Sequence, residues 1–383
     1  MIERKEITQI AEKYNKEKIK IAAVASHSAL DVFDGAVEEK IPTLAICKTG
    51  REQVYTRYFR SKTVGDEVVR GCVNNCLVFD DFSRILESGN QGKLKKENVL
   101  FIPNRSFSSY CKVEAIEDDF LVPLVGSRNM MRLEERNEKD NYYTLLEKGG
   151  LPTPKEVVAE KIDKLTIIKL AHAQKKLERG FFTASTYEEY QQKSENLLKE
   201  GIITKEALDA ARVEEYVIGP VFNLDYFYSP LEDEMEKLEL LGVDYRFESS
   251  LDGHVRLPAD QQLALNKTQK LPEYTVVGHA NATIRESLLE KVFDLGEKFI
   301  EASKKHYKPG VIGPFCLQTC VDKDMNFFIY DVAVRVGGGT NVHMSVGAPY
   351  ANTLFRKPVS SGRRLAMEIK RAINEERLDE IIT

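Results

Sequence analysis

Apolar positions recur along this chain in two rhythms, and their order predicts its elements. Lys18–Ala25 is a continuous apolar run and reads as a buried strand ending at Ser26-His27-Ser28. Ala29–Glu39 repeats with the period of an amphipathic helix, and Thr43–Cys47 is apolar again, so the first fifty residues predict a βαβ unit and a parallel sheet. Further strands are expected at Cys76–Phe79, Val99–Ile102 and Phe120–Val125, with a short helix at Ser83–Glu87 and a surface loop at Gly89-Asn90-Gln91-Gly92. A charged helical stretch, Asn129–Lys148, ends at Gly149-Gly150, and Leu151-Pro152-Thr153-Pro154 is an extended connector. Next come strand Thr166–Lys169, a loop, strand Gly180–Ala184 and a helix across Tyr187–Glu200. Antiparallel strands follow, including Val221–Tyr228 and Tyr274–Gly278, then the helices Leu288–Lys305 and Gly362–Glu375. No internal repeat or low-complexity tract interrupts the pattern.

Two stretches near the C-terminus carry candidate chemistry. Gly313-Pro314-Phe315-Cys316-Leu317-Gln318 and the run from Phe328 to Asp331 both read as strands, with Asp322-Lys323-Asp324 as the turn between them. Side chains alternate faces, so Asp331 and Arg335 share one face, as do Cys316, Gln318 and Cys320. A hairpin would bring an amide oxygen and a carboxylate together beside a guanidinium and the loop Gly337-Gly338-Gly339-Thr340-Asn341. Magnesium bound to a triphosphate needs that mixture of hard oxygen ligands and phosphate donors. The competing reading is one stray acid on a hairpin with a flexible turn.

Length and charge narrow the class. A chain of 383 residues exceeds one ordinary core and predicts two or three domains. With 42% hydrophobic and 30% charged residues it has a globular composition, and a net charge of −5 argues against a nucleic-acid surface. No apolar stretch approaches bilayer length, so no membrane role is expected, and the polar start Met1–Glu6 is not a signal peptide. A cytoplasmic protein is the expectation. The six cysteines match no zinc spacing and are expected as free thiols.

These landmarks together resemble the ATP-grasp superfamily, and within it the archaeal formate-dependent AICAR ligases (FAICAR synthetases of the PurP type). The resemblance spans nearly the whole chain. It rests on Ser26-His27-Ser28, Glu214-Glu215-Tyr216-Val217, Tyr226–Pro230, Arg246–Ser249, Arg256–Gln261, Ile284–Ser287, and the Gly313–Gln318 and Arg335–Asn341 segments, all in one order. It implies an ATP-grasp fold, mixed α/β and α+β, with a Rossmann-like domain over residues 1–130. A small ATP-grasp subdomain would cover 131–213, and a large one holding the metal site 214–383. The implied activity is ligation of formate to the AICAR amine through formyl phosphate, with ATP as co-substrate and Mg²⁺ or Mn²⁺ as cofactor. The implied partners are these small molecules and, as a homo-oligomer, further copies of the chain.

By the same resemblance Gln318 and Asp331 are the metal ligands and Arg335 the expected catalytic residue. His27, Ser106 and His279 are expected on AICAR. Lys169, Glu214, Tyr216, Val217 and Glu248 are expected on ATP. Asn341 reads equally as a ligand or a turn cap, and Ser28 as an N-cap. Three departures stand out. The glycine-rich phosphate loop of the family is replaced by Leu170–Gly180, which keeps one glycine and has helix-forming composition. His279 stands where the family carries an asparagine, and Asn104-Arg105 adds bulk and charge before Ser106. A ligase acting on another carboxylate or amine, or a non-catalytic nucleotide-binding paralogue, remain alternatives.

Overall fold

A computed structural model of the chain describes residues 1–136, 138–170, 181–265 and 275–383. The predicted loop at 171–180 therefore lies outside the described residues.

The first layer is built on β1 (Lys20–Val24) and β2 (Thr43–Lys48), followed by a hairpin, β3 (Lys62–Val64) with β4 (Glu67–Arg70), and by β5 (Asn75–Phe79) and β6 (Val99–Phe101). The main sheet runs β5-β2-β1-β6 with every pair parallel. Its central strands are apolar throughout because both faces are covered. Phe82, Phe101, Phe107 and Phe120 fill one side, and the helices Ala29–Glu38 and Ser361–Asn374 cover the other.

Three expectations need correction here. Phe120–Val125 forms no strand: Leu124 makes only an isolated bridge to Phe101, and Pro123 has no N–H to give to a ladder. Gly89–Gly92 lies inside the helix Ser88–Lys96, where Asn90 Nδ2 donates to the Arg84 carbonyl at 2.8 Å and Gln91 Nε2 to that of Leu86 at 2.7 Å. Asn129–Lys148 is two elements, a 3₁₀ turn Arg128–Glu134 and a helix Tyr142–Lys148 whose cap, Asn141, accepts from the Tyr143 N–H at 3.0 Å. Arg128, at the start of the 3₁₀ turn, is buried and donates to the carbonyls of Ile116, Phe120, Val122 and Thr383.

A small antiparallel sheet, ordered β8-β7-β9, comes next: β7 (Thr166–Lys169), β8 (Phe181–Ala184) and β9 (Arg212–Glu215). Ile162, Ile168, Ala184 and Val213 form its own core. The largest sheet is wholly antiparallel, in the order β12-β11-β10-β13-β14. Its strands are β10 (Val221–Tyr228), β11 (Leu238–Glu248), β12 (Val276–Ala282), β13 (Gly313–Val321) and β14 (Phe327–Ala333). Leu224, Tyr226, Val243, Leu317 and Val332 pack one face onto Val292, Leu295 and Phe299 of the helix Leu289–His306. The opposite face is polar and forms the site.

The C-terminal helix joins the first and last layers. A Cβ on Gly35 would lie 2.1 Å from the Arg363 nitrogen, and one on Gly362 would lie 2.0 Å from the Asp31 carbonyl, so these two helices touch backbone to backbone. Arg364 is buried between them and the large sheet, forking onto Glu239 at 2.7 and 2.8 Å and reaching Glu368 at 2.8 Å. Asp31 is buried at the same junction and accepts from the Gly362 N–H at 3.0 Å. Burial raises its carboxyl to about 7, against the opposing pull of hydrogen bonds from Ser360, Thr340 and Gly362. A carboxyl whose folded pKa is raised loses stability for the fold as pH climbs from the unfolded value near 4 to about 7. Asp31→Asn should therefore raise stability over wild type above pH 7, with the difference vanishing below pH 4 in urea titrations across that range.

Candidate active site

The hairpin β13–β14 sets the geometry through its register. Gln318 is the direct partner of Asp331, and on the other side it pairs with Asn223; Asn223 pairs in turn with Asp244, and Asp244 with Asn281. One row of amides and carboxylates thus crosses all five strands on the polar face. The Oε1 of Gln318 and the Oδ1 of Asn223 are buried with no hydrogen-bond partner among the described residues. Unpaired oxygens of this kind carry a desolvation cost that a cation would relieve. Asp331 keeps its carboxylate beside that gap: Oδ1 accepts from the Val332 N–H at 3.0 Å, and Oδ2 is 3.9 Å from Arg136 Nη2. The donor set suits a hard divalent ion such as Mg²⁺, provided substrate oxygens or water complete the shell. Among the described residues no group of three or more His, Cys, Asp or Glu could hold a metal by itself.

The register slips between Gln318 and Thr319, so Tyr330 is an extra residue on β14. Such a bulge frees backbone groups and re-aims side chains. The freed Tyr330 carbonyl accepts from Lys169 Nζ at 3.2 Å and from the Tyr142 hydroxyl at 3.3 Å. Lys169, at the end of β7, is buried rather than solvated. Its Nζ lies 2.6 Å from Glu214 Oε2 and donates to the Tyr143 hydroxyl at 2.7 Å. Burial presses the ammonium below its ordinary range, while Glu214 holds it up. The other oxygen of Glu214 accepts from Arg212 Nε at 2.7 Å, so this carboxylate is engaged by cations on both sides. After β9 the Tyr216 N–H is taken by the Leu165 carbonyl at 3.1 Å, and the Val217 carbonyl accepts from the Cys320 thiol at 3.5 Å. Glu248 closes β11, donating its N–H to Asp252 Oδ2, and its charge supports Arg246, which bonds the Tyr330 hydroxyl.

The second half of the cleft comes from the first layer. His27 and Ser106 follow the C-terminal ends of β1 and β6, neighbours in a parallel sheet and a usual place for ligands. Asn104 holds them together: it is buried, donates to the carbonyls of Val24 at 2.8 Å and Ser26 at 3.1 Å, and caps the helix Arg105–Tyr110. It is structural, and Arg105 Nη1 lies 3.5 Å from Glu134 Oε2, the oxygen that Arg335 also engages, so the positive charge of Arg105 stays beside the site. His27 takes a left-handed φ of 48°. Crowding by protein, then the charges of Arg335, Arg105 and His279, hold its imidazole down to about 4, so the ring is neutral at physiological pH. Ser28 does not cap its helix; its hydroxyl donates to the Gly337 carbonyl at 2.5 Å. Asn341 takes the Asp31 N–H at 3.2 Å and donates to the His27 carbonyl at 3.3 Å.

The glycine loop is close-packed rather than flexible. A Cβ on Gly337 would meet Asp225 Oδ1 at 2.7 Å, and one on Gly339 would meet Asp244 Oδ1 at 2.3 Å. Arg335, just before it, is buried and donates to Glu134 Oε2 at 3.1 Å and to the Val336 carbonyl at 3.0 Å, leaving Nε without an acceptor among the described residues. Its charge falls on His27 and on Cys316, one row along the sheet from Gln318. His279 sits on β12 with Nδ1 2.5 Å from Asp244 Oδ1. The sequence reading gave no site role to Arg136, Arg246, Asp225 or Asp244. Arg246 stood at the head of a segment that carries the resemblance, and Asp225 two residues after Asn223 in a run otherwise apolar.

Comparison with known proteins agrees with this architecture. A family described as a domain of unknown function, DUF1297, matches residues 189–383, and a protein of unknown function, DUF1246, matches 21–157. A 5-formaminoimidazole-4-carboxamide-1-β-D-ribofuranosyl 5′-monophosphate synthetase of Methanocaldococcus jannaschii is 40% identical over 384 residues, with 100% of each chain covered. The crystal structure of an IMP biosynthesis protein PurP from Thermococcus kodakaraensis superposes with a TM-score of 0.68 at 28% identity, covering 95% of this chain and 100% of that one. The biotin carboxylase domain of Hydrogenobacter thermophilus 2-oxoglutarate carboxylase, solved with ADP and magnesium, shares the fold at a TM-score of 0.58 and 14% identity, covering 91% of this chain and 69% of its own.

Proposed function

The chain belongs to the family of 5-formaminoimidazole-4-carboxamide ribonucleotide synthetases, ATP-grasp ligases of purine biosynthesis, and on that premise we propose that it formylates AICAR to FAICAR with ATP and formate. The observation that carries the reading is the Gln318–Asp331 pair, a buried unpartnered amide oxygen set opposite a carboxylate.

Formate oxygen would attack the γ-phosphorus of ATP, releasing ADP and leaving formyl phosphate, whose phosphate is a far better leaving group than oxide. The AICAR amine would then attack the formyl carbon and expel phosphate. Gln318 Oε1 and the Asp331 carboxylate would hold a divalent cation, Mg²⁺ or Mn²⁺, which when bound neutralises charge on the transferring phosphoryl group. Lys169 would lie along the nucleotide phosphates, kept charged by Glu214, with Tyr216 and Val217 along the adenine edge and Glu248 at the nucleotide's far side. Arg335 would use its unpaired Nε on the reacting anion, beside the neutral His27. Ser106 and His279 would complete the AICAR pocket. The glycine loop packs against Asp225 and Asp244 on the polar face, and excluding water matters because a mixed anhydride hydrolyses.

Among the described residues no helix is long and apolar enough to cross a membrane. Action in the cytoplasm and assembly as a homo-oligomer are part of the same proposal. The test is direct. Purified protein with ATP, magnesium, formate and AICAR should yield FAICAR and ADP in equal amounts, measured by chromatography. ADP release that needs another acid or amine, or nucleotide binding without turnover, would overturn it.

A further inference from the structure

The β3–β4 hairpin belongs to the first layer, and the ligase chemistry makes no use of it. Its strands are three and four residues long; Lys62 faces Arg70, Val64 faces Glu67, and Gly65-Asp66 makes the turn. Neither strand pairs with a third among the described residues, and Val64 and Val69 are 69% and 59% exposed. A ribbon of two strands is marginal in water by itself and needs a further strand or layer against it. The strand that follows is open as well. β5 ends the parallel sheet, and no described strand lies on its outer side. Its residues, Asn75-Cys76-Leu77-Val78-Phe79, include no charge and no proline, the usual guards of an open edge. Val78 is 46% exposed on that edge.

Charge identifies what fits this face. The base of the hairpin is cationic, because Lys62 and Arg70 stand directly opposite each other. Its tip is anionic, because Asp66 and Glu67 follow Gly65. All four side chains are exposed, and no ion pair with a described residue uses any of them. Like charges facing across a strand pair repel, so the base lacks an anion and the tip a cation. A second hairpin of the same sequence, turned end for end, supplies both: its tip meets this base and its base meets this tip. A patch complementary to its own reverse suits an interface about a two-fold axis.

We infer that this face is where two copies of the chain meet. The β3–β4 hairpins lie antiparallel across a two-fold axis, tip on base, and the contact covers Val64, Val69 and the β5 edge. The inference rests on the homo-oligomer part of the reading above and names the surface that pairs; it needs nothing of the AICAR chemistry. Assemblies that include this contact hold an even number of copies.

Sedimentation velocity on the full-length protein tests the contact through charge. Wild type should sediment as an assembly of an even number of copies. A tip variant, Asp66→Lys with Glu67→Lys, carries cations at both ends of the hairpin, and a base variant, Lys62→Glu with Arg70→Glu, carries anions at both. Each alone should raise the dissociation constant at this face by at least about tenfold, since facing like charges suppress association. Mixed in equal amounts, the two variants should associate again to within about threefold of wild type, because every tip then meets a base of opposite charge. Circular dichroism spectra matching wild type establish that both are folded. A wild-type assembly of odd number, variants that assemble as wild type does, or a mixture that stays apart overturns the inference and leaves the homo-oligomer reading standing. Wild type that sediments as a monomer overturns both.

Discussion

Asp331→Asn is expected to remove FAICAR formation and formate-dependent ADP release together, with kcat down by at least about 100-fold. The substitution is nearly isosteric. An asparagine oxygen can still accept from the Val332 N–H, and loss of the 3.9 Å approach to Arg136 is a minor term, so the fold should persist. What goes is the only negative charge in the Gln318–Asp331 pair. Gln318→Glu supplies the control, since it places a second carboxylate on the same row and should retain turnover with tighter metal dependence. Activity of Asp331→Asn close to wild type at saturating magnesium would remove Asp331 from the cation site.

Arg364→Leu is the substitution expected to damage stability most. The guanidinium is 2% exposed and satisfies Glu239 through a two-point fork while also bonding Glu368. Glu368 in turn accepts from the Ser229 hydroxyl at 2.6 Å, so four groups share one buried network. Removing the cation leaves two carboxylates buried and facing each other, which costs about 3–5 kcal/mol. Denaturant midpoints should fall accordingly, and the loss should shrink at low pH, where Glu239 and Glu368 take up protons. Arg364→Lys should recover part of it, because an ammonium restores charge but not the fork. A midpoint unchanged in Arg364→Leu would show that the network contributes nothing net.

Much of this could be read from the sequence, for identifiable reasons. The βαβ start was legible because β1 and β2 are buried on both faces and therefore apolar without interruption. The Gln318–Asp331 pairing was legible because Asp322-Lys323-Asp324 marks a short turn, and a short turn fixes the register of the strands it joins. The Tyr330 bulge was not, since nothing local distinguishes the residue that will be left over. Strand β11 was missed because Leu238–Glu248 lacks clean alternation, and with it went Asp244 and Arg246. Arg136 was hidden in a charged stretch that reads as solvated helix, whereas it is half-buried between the Tyr142 hydroxyl and Asp331. Asn341, left open between ligand and turn cap, reaches instead to the Asp31 N–H and the His27 carbonyl, more than three hundred positions away and invisible to a local reading. The glycines at 337 and 339 read equally as a flexible turn, yet they let backbone press against two carboxylates, Asp225 and Asp244.

The contact of Gly35 with Gly362 has a mechanical corollary. Two rods that meet without side chains between them cannot slide or roll without collision, so the loop bearing His27 and the C-terminal helix are locked to one another.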